Sequence, residues 1–306
     1  MIEEIDIDDL QKVAKEAVSN QWNKYGNIYR PTGETTQCLP PGYYQVVSNW
    51  QDFFLVRQNL ELEGIYKVDS SNLQEILGEI KTFWTKGDDF KRYKRSYRRG
   101  ILLSGPPGTG KTCITKLLIK ELIKEGGICL AESVNDPANI KRGIDAVRSV
   151  QPETPIVVVM EDLDRCECGS DLLNMLDGIT PLHNVVFIAT ANHPEELDEA
   201  LRERPGRLDR HFKIGGLNKK CRRQFIRKLL QPEDLKKIDI EKYVEDTEGL
   251  PLGHIEDLVI STVVMGNDYN RSLQLLLNLS EGIEDEEATD IKTTLAPLEE
   301  AHGETE

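Results

Sequence analysis

The stretch GILLSGPPGTGKT, residues 100–112, constrains this chain more than any other. An apolar, strand-like run enters a loop of glycine and proline, and a Lys-Thr pair then opens a helical pattern. Gly105, Gly110, Lys111 and Thr112 therefore fit G-x-x-x-x-G-K-[ST] in the strand-to-helix setting that the pattern requires. Glycines let successive backbone N–H groups curl around phosphate oxygens, and the helix N-terminus adds a favourable dipole. Pro106, Pro107, Gly108, Thr109 and Cys113 complete the segment. In such a loop the lysine bridges the β- and γ-phosphates, and the Thr112 hydroxyl is placed to ligate Mg2+.

The surrounding pattern agrees with this reading. GILLSG (100–105), ICLAES (128–133), IVVVME (156–161) and VVFIATA (185–191) are apolar enough for strands buried on both faces. Helix-like pieces separate them, from Lys111, near 137–150 and near 170–178. Alternation of this kind predicts a parallel sheet covered on both sides. SSNLQEILGEIKTFWTKG carries Leu73, Ile76, Leu77 and Ile80 on one helical face and leads into that domain. Beyond about residue 216 the segments NKKCRRQFIRKLL, DIEKYVEDTE, GHIEDLVISTVV and NRSLQLLLNL read as helices alone.

The expected fold is thus α/β followed by a small helical domain, with an N-terminal α+β region ahead of both. That first region holds an amphipathic helix over 3–20, with Ile5, Leu10, Val13, Ala14 and Val18 at helical spacing, and the strand-like YYQVV and FFLVRQ. The boundaries read as 1–65 for an N-terminal partner-recognition region, 66–215 for the nucleotide-binding domain, 216–280 for the helical lid and 281–306 for a disordered acidic tail.

VVVMEDLD (157–164) supplies the second half of a phosphate site. A β-branched strand delivers Glu161, Asp162 and Asp164 to its end, where an acid is needed near the metal's hydration shell. In one frame Glu161 is associated with Mg2+ through water and Asp162 polarises the attacking water. A competing frame gives Asp162 to the metal and leaves Leu163 in the base position, which would leave the chain without a catalyst.

Composition excludes several classes. The formal net charge of −15 argues against broad capture of nucleic acid or anionic lipid. Cys38, Cys113, Cys129, Cys166, Cys168 and Cys221 are scattered, which fits reduced thiols in a cytosol, and Cys166-x-Cys168 lacks the second pair of ligands that a zinc site needs. MIEEIDIDDL is acidic where a signal peptide is basic, and no apolar run is long enough to span a bilayer, so a cytoplasmic protein without membrane attachment is expected. No H-E-x-x-H or Ser–His–Asp arrangement points to a protease. The run KRYKRSYRR (91–99) is the one basic, aromatic-bearing stretch that suits nucleic acid, although it also reads as a solvated loop entering the first strand.

Together with IATANHPEELDEALRERPGRLDRHF (188–212), these motifs resemble the AAA family of ATPases within the wider AAA+ group, over about residues 70–265. The resemblance implies a P-loop NTPase fold, GPPGTGKT as Walker A motif, ATP and Mg2+ as ligands, and a homo-oligomeric ring for which the family precedent is six. It further implies that Asn192 is the sensor-1 residue orienting the attacking water, and that Arg204 and Arg207 of RPGR are arginine fingers reaching into the neighbouring subunit's nucleotide. YRRGILLSGPPGTGK, LLNMLDGI and the Glu-Asp order look most similar to the branch containing the mitochondrial chaperone that translocates the folded Rieske iron–sulfur protein, with compact microbial and phage-encoded relatives. The implied function is ATP-driven remodelling of a protein client. A nucleic-acid or replication-associated motor is the alternative, and a small-molecule kinase ranks last because it has no use for an arginine from a neighbour.

Two departures from the family pattern matter. AESVNDPANIKRG lacks the aromatic pore-loop residue of threading unfoldases. GLPLGHIEDLV offers Gly253 as a close backbone approach to the adenine, but no arginine at the usual sensor-2 place.

Overall fold

The computed structural model describes residues 21–25, 28–32, 36–48, 53–62, 64–66, 71–131, 136–166, 172–173, 175–176, 182–202 and 207–281. The expected helix over 3–20, most of the one near 170–178, and the acidic tail beyond Glu281 lie outside these residues. The chain divides into two compact units, Met1–Ile214 and Gly215–Glu306.

In the first unit, strands β1 (Gln21–Tyr25) and β2 (Ile28–Thr32) form an antiparallel pair. The other strands are β3 (Gly42–Ser48), β4 (Phe53–Gln58), β5 (Arg98–Ser104), β6 (Ile128–Ala131), β7 (Ile156–Met160), β8 (Val185–Ala191) and β9 (Arg210–Lys213). They make one seven-stranded sheet in the order β4-β3-β6-β7-β8-β5-β9. Only the β3–β4 pair is antiparallel. YYQVV and FFLVRQ, read from sequence as part of a separate N-terminal region, thus extend the nucleotide-binding sheet, with Tyr43 of β3 opposite Cys129 of β6.

Strand alternation separates two cores. Val157, Val159, Val186, Ile188, Ile101 and Leu103 face one side, with Leu73, Ile76 and Ile80 of helix α1 (Ser71–Trp84) and Leu118, Ile119 and Leu122 of a second helix over Lys111–Lys124. Ile156, Val158, Met160, Val185, Phe187 and Leu102 face the other, against Ile140, Ile144 and Val147 of the helix over Pro137–Val150. In chain order these are α1, then α2 (Gly87–Arg92), α3 (Lys111–Lys124) and α4 (Pro137–Val150). Asp136 caps α4 by accepting from Asn139 N, with Pro137 at the first helical position where its missing N–H costs nothing.

The β5–β9 edge needs close backbone approach. A Cβ on Gly100 would lie 1.5 Å from Arg207 O. Arg99 of β5 and Arg210 of β9 both donate to Glu79 of α1, and Arg99 also pairs with Asp209 at 3.3 Å, so one carboxylate on the helix gathers both strands.

The second unit is helical: α6 (Lys219–Leu229), α7 (Ile240–Asp246), α8 (Leu252–Val259) and α9 (Tyr269–Glu281), where α5 is the short Glu199–Arg202 turn of the first unit. Asn218 and Asp239 cap α6 and α7 through their side chains. Buried Arg222 donates to Val244 O and Leu217 O at 3.0 and 2.6 Å, tying α6 to α7.

Gly100→Ala will overpack the β5–β9 edge and lower the unfolding free energy of the full chain by about 3 kcal/mol, the upper part of the overpacking range. Gly78→Ala in α1, where an added Cβ meets nothing within 4 Å, will leave stability unchanged or raise it by up to about 1 kcal/mol. Urea denaturation followed by far-UV circular dichroism measures both.

Candidate active site

Three neighbouring strands end together. The register pairs Met160 with Ala189 and Ser104 with Ala191, so Glu161, Asn192 and Gly105 all leave the sheet along its carboxyl edge. Ligands of open parallel sheets bind outside that edge.

The loop after β5 is built from backbone that only glycine adopts at low cost. Gly105, Gly108 and Gly110 have φ of +153°, +73° and +94°. A Cβ on Gly105 would stand 2.0 Å from Ile214 O, just past β9. The Thr109 hydroxyl donates to Pro106 O at 2.8 Å and firms the loop, while Pro106, Pro107 and Gly108 are exposed along its outer side. Gly110 ends the loop as the residue preceding α3, and no side chain caps that helix. The first-turn N–H groups of α3 are therefore those that a phosphate would engage. Thr112 is exposed on the first turn, and Cys113 beside it is half-buried.

Lys111 is buried, and its Nζ donates to Gly105 O at 2.7 Å, Pro106 O at 3.0 Å and Asn192 Oδ1 at 2.6 Å. Burial pulls its pKa below the ordinary lysine value, while the charges of Asp162 and Asp164 push it back up. Asn192 in turn donates from Nδ2 to Asp162 Oδ1 at 3.2 Å. One side-chain amide thereby spans the loop lysine and the acid.

The acids face different ways. Asp162 adopts a left-handed conformation, φ 51° and ψ 50°, which aspartate tolerates better than most residues, and its N–H donates to Thr190 Oγ1 at 2.9 Å. Asp164 Oδ2 accepts from Asn192 N at 3.1 Å and His193 N at 3.0 Å. Glu161 continues the alternation of Val157 and Val159 toward the face that α3 covers. Although it stays exposed, desolvation raises its pKa, Asp162 adds to the rise and Lys116 opposes it. Tyr43 of β3 senses the same carboxylate: burial first and Glu161 second raise its hydroxyl. Leu163 is buried in the core and offers nothing to the site.

Sequence reasoning assigned no role to Asp164, Thr190, Lys116 or Tyr43. Only the position of Asp164 within EDLD was a signal; the other three are brought in by strand pairing.

The arginines divide. Arg204 lies outside the described residues. Arg207 is buried, and its guanidinium donates to Ala200 O, while Leu208 N donates to Leu201 O at 3.3 Å. In this chain the Arg207 guanidinium thus meets a carbonyl of its own segment. Gly253 stands in the first turn of α8, in the second unit. Lys91, Arg92, Tyr93, Lys94 and Arg95 are exposed at the end of α2, with Arg92 stacked 5.0 Å from the Tyr93 ring centroid and paired with Asp89 at 3.0 Å.

The residues present fit a nucleoside triphosphate and its cation. The glycine turns, at positive φ, bend the loop ahead of α3, and a buried ammonium points at its carbonyl rim. Among the described residues no cluster of three His, Cys, Asp or Glu side chains could hold a metal alone. A Mg2+ brought by phosphates and shared between a hydroxyl and an acid matches such a donor set.

This geometry defines a P-loop nucleotide-hydrolysing domain. Residues 101–216 match the family described as ATPase family associated with various cellular activities (AAA), and this part of the chain is an AAA-family ATPase domain. The chain is 28% identical over 214 residues to the ATPase family gene 2 protein of Saccharomyces cerevisiae, covering 62% of this chain and 27% of that protein. It is 35% identical over 178 residues to the cell division cycle protein 48 homolog of Archaeoglobus fulgidus, covering 52% and 24%. To the probable mitochondrial chaperone bcs1 of Schizosaccharomyces pombe it is 31% identical over 182 residues, covering 55% and 39%. The chain thus spans well under half the length of each of these relatives. Among the described residues no helix is long and apolar enough to cross a membrane.

Lys111→Ala removes a charge-assisted contact to phosphate of about 1.5–3 kcal/mol, so ATP affinity will fall by about 10- to 100-fold. Titration with a fluorescent ATP analogue measures the loss, and unchanged far-UV circular dichroism shows that the fold is intact.

Proposed function

We propose that this chain hydrolyses ATP within a ring of identical subunits, six by family precedent, and couples turnover to the remodelling of a protein partner in the cytoplasm. The observation that carries the reading is the hydrogen-bonded series Lys111–Asn192–Asp162 beside the glycine cradle. It joins the loop lysine to a carboxylate through a single side-chain amide.

Lys111 would neutralise the β- and γ-phosphate oxygens, released by them from its own loop carbonyls. Thr112, with Glu161 acting through water, would hold Mg2+, which supplies charge neutralisation at the phosphates when bound. Asp162 and Asn192 would orient and polarise the attacking water. The burial of Leu163 supports this frame over the one that puts Leu163 in the base position. Asn192 bonds Asp162, whereas Lys116 is the cation whose charge acts on Glu161, which supports separate jobs for the two acids. Asp162 is one methylene shorter than glutamate, and its left-handed backbone offers a way to bring the carboxylate to Asn192.

Arg204 and Arg207 are proposed to reach the neighbour's nucleotide, where a guanidinium neutralises charge developing on the transferred phosphoryl group. Arg207, bonded to Ala200 O within the single chain, would exchange that carbonyl for the neighbour's phosphate. Such contacts are head-to-tail and close into a ring when the rotation permits. Gly253 is proposed to approach the adenine.

Residues 1–65 are proposed to recognise the client, since β3 and β4 anchor that region to the sheet beside β6. Relatives described as a mitochondrial chaperone and a cell division cycle protein homolog support a remodelling role. The absent pore-loop aromatic counts against threading of an unfolded chain. A second reading, a nucleic-acid motor, rests on the exposed basic tip at Lys91–Arg95 with Tyr93 stacked by Arg92. Stimulation of ATPase by DNA or RNA with a steep salt dependence would select it, and stimulation by a protein without that dependence would select the first.

Asp162→Asn will bind ATP nearly normally and lose most hydrolysis, whereas Glu161→Gln will also raise the Mg2+ concentration needed for half-maximal rate. Turnover of Asp162→Asn at the wild-type rate would overturn this assignment. ATPase rate per subunit will rise with protein concentration as the ring assembles; a rate independent of concentration, with a monomer by light scattering, would remove the ring premise.

A further inference from the structure

Asn192 must hold its amide between Lys111 and Asp162, yet it stands at the first position past β8, where the ladder no longer fixes the backbone. Something else must hold it there. Asp164, in the single 3-10 turn after β7, accepts from the N–H groups of both Asn192 and His193 through the same oxygen, Oδ2, at 3.1 and 3.0 Å. A second cross-link runs beside it, from Asp162 N to Thr190 Oγ1 at 2.9 Å. The ends of β7 and β8 are therefore stitched together beyond their last ladder pair, once through each of the two aspartates.

We infer that Asp164 is a positioning residue for ATP hydrolysis: its carboxylate clamps two successive N–H groups and so sets where the Asn192 amide meets Lys111 and Asp162. The clamp is concerned with position more than with stability. His193 is exposed and Asn192 only half-buried, so water can replace the acceptor for both N–H groups if the carboxylate is removed. What water cannot replace is a fixed point. The other oxygen, Oδ1, is buried and has no hydrogen-bond partner among the described residues, so the side chain is committed to its single-oxygen grip at the expense of its second acceptor.

The inference rests on the proposal that Asn192 and Asp162 handle the attacking water. It separates geometry from charge. Asp164→Asn keeps an acceptor oxygen at the same reach and loses the charge, whereas Asp164→Glu keeps the charge and moves the oxygens by one methylene. A misplacement of about 1 Å costs up to about 100-fold in rate. The expected result is that Asp164→Asn retains kcat within about threefold of wild type, while Asp164→Glu and Asp164→Ala lose about 10- to 100-fold, all with ATP affinity within about threefold.

In an Asn192→Ala background the Asp164→Glu change will cause no further loss, because its effect passes through the asparagine; a residue that only supports the fold would add its loss to that of Asn192→Ala. Steady-state ATPase of the full chain, with affinity from a fluorescent analogue, reads every arm. Asp164→Asn falling as far as Asp164→Glu, Asp164→Glu keeping the wild-type kcat, or losses that add in the double variant would each overturn the inference. A wild-type chain without ATPase activity would instead remove the underlying reading, and the inference with it.

Discussion

Burial of both faces of the central sheet is the constraint on which the rest of the first unit depends. Val157, Val159, Val186 and Ile188 on one side, and Ile156, Val158, Val185 and Phe187 on the other, leave the middle strands no polar face. Polar chemistry is thereby driven to the strand ends. Because β5, β7 and β8 run parallel and in register, their carboxyl ends bring Gly105, Glu161 and Asn192 to one edge. The site is a consequence of how the core is buried.

At that edge, precision comes from backbone approach and from short cross-links. Gly100 and Gly105 admit the carbonyls of Arg207 and Ile214 into space that any other side chain would fill. The RPGR-bearing segment and the phosphate loop thus share one strand pair, and Ser104 beside the loop also bonds His211 of β9. A movement at the arginine end of this segment therefore has a physical route to the loop that would hold phosphate. Lys111, Asn192 and Asp162 form the polar counterpart, with Asp164 fastening the asparagine from behind.

Much of this was legible in the residues. VVFIATA was read as a strand over 185–191 and the segment after ICLAES as a helix near 137–150, and the structure has β8 and α4 at those bounds, because apolar runs and an Asp-Pro helix start are local signals. The phosphate loop was legible for the same reason. Less legible was the company that β3 and β4 keep, since YYQVV names a strand but not its partner; pairing with β6 depends on hydrogen bonds between segments more than eighty residues apart. Arg207 shows the limit for single side chains. Its place in a charged loop says nothing of the Ala200 carbonyl, seven residues earlier, that its guanidinium meets within the chain.

The sequence by itself determined the chemistry: a glycine loop with a lysine and a threonine, an acid pair after an apolar strand, and an asparagine after another, each set by residues adjacent in the chain. Tertiary structure alone decided which acid meets which partner. Glu161 follows the strand alternation toward α3 and Lys116, while the left-handed turn at Asp162 carries the next carboxylate to Asn192. The physical reason is that hydrogen bonds at a strand end are made across the sheet, between residues about thirty positions apart, where no local pattern records the direction in which a side chain points.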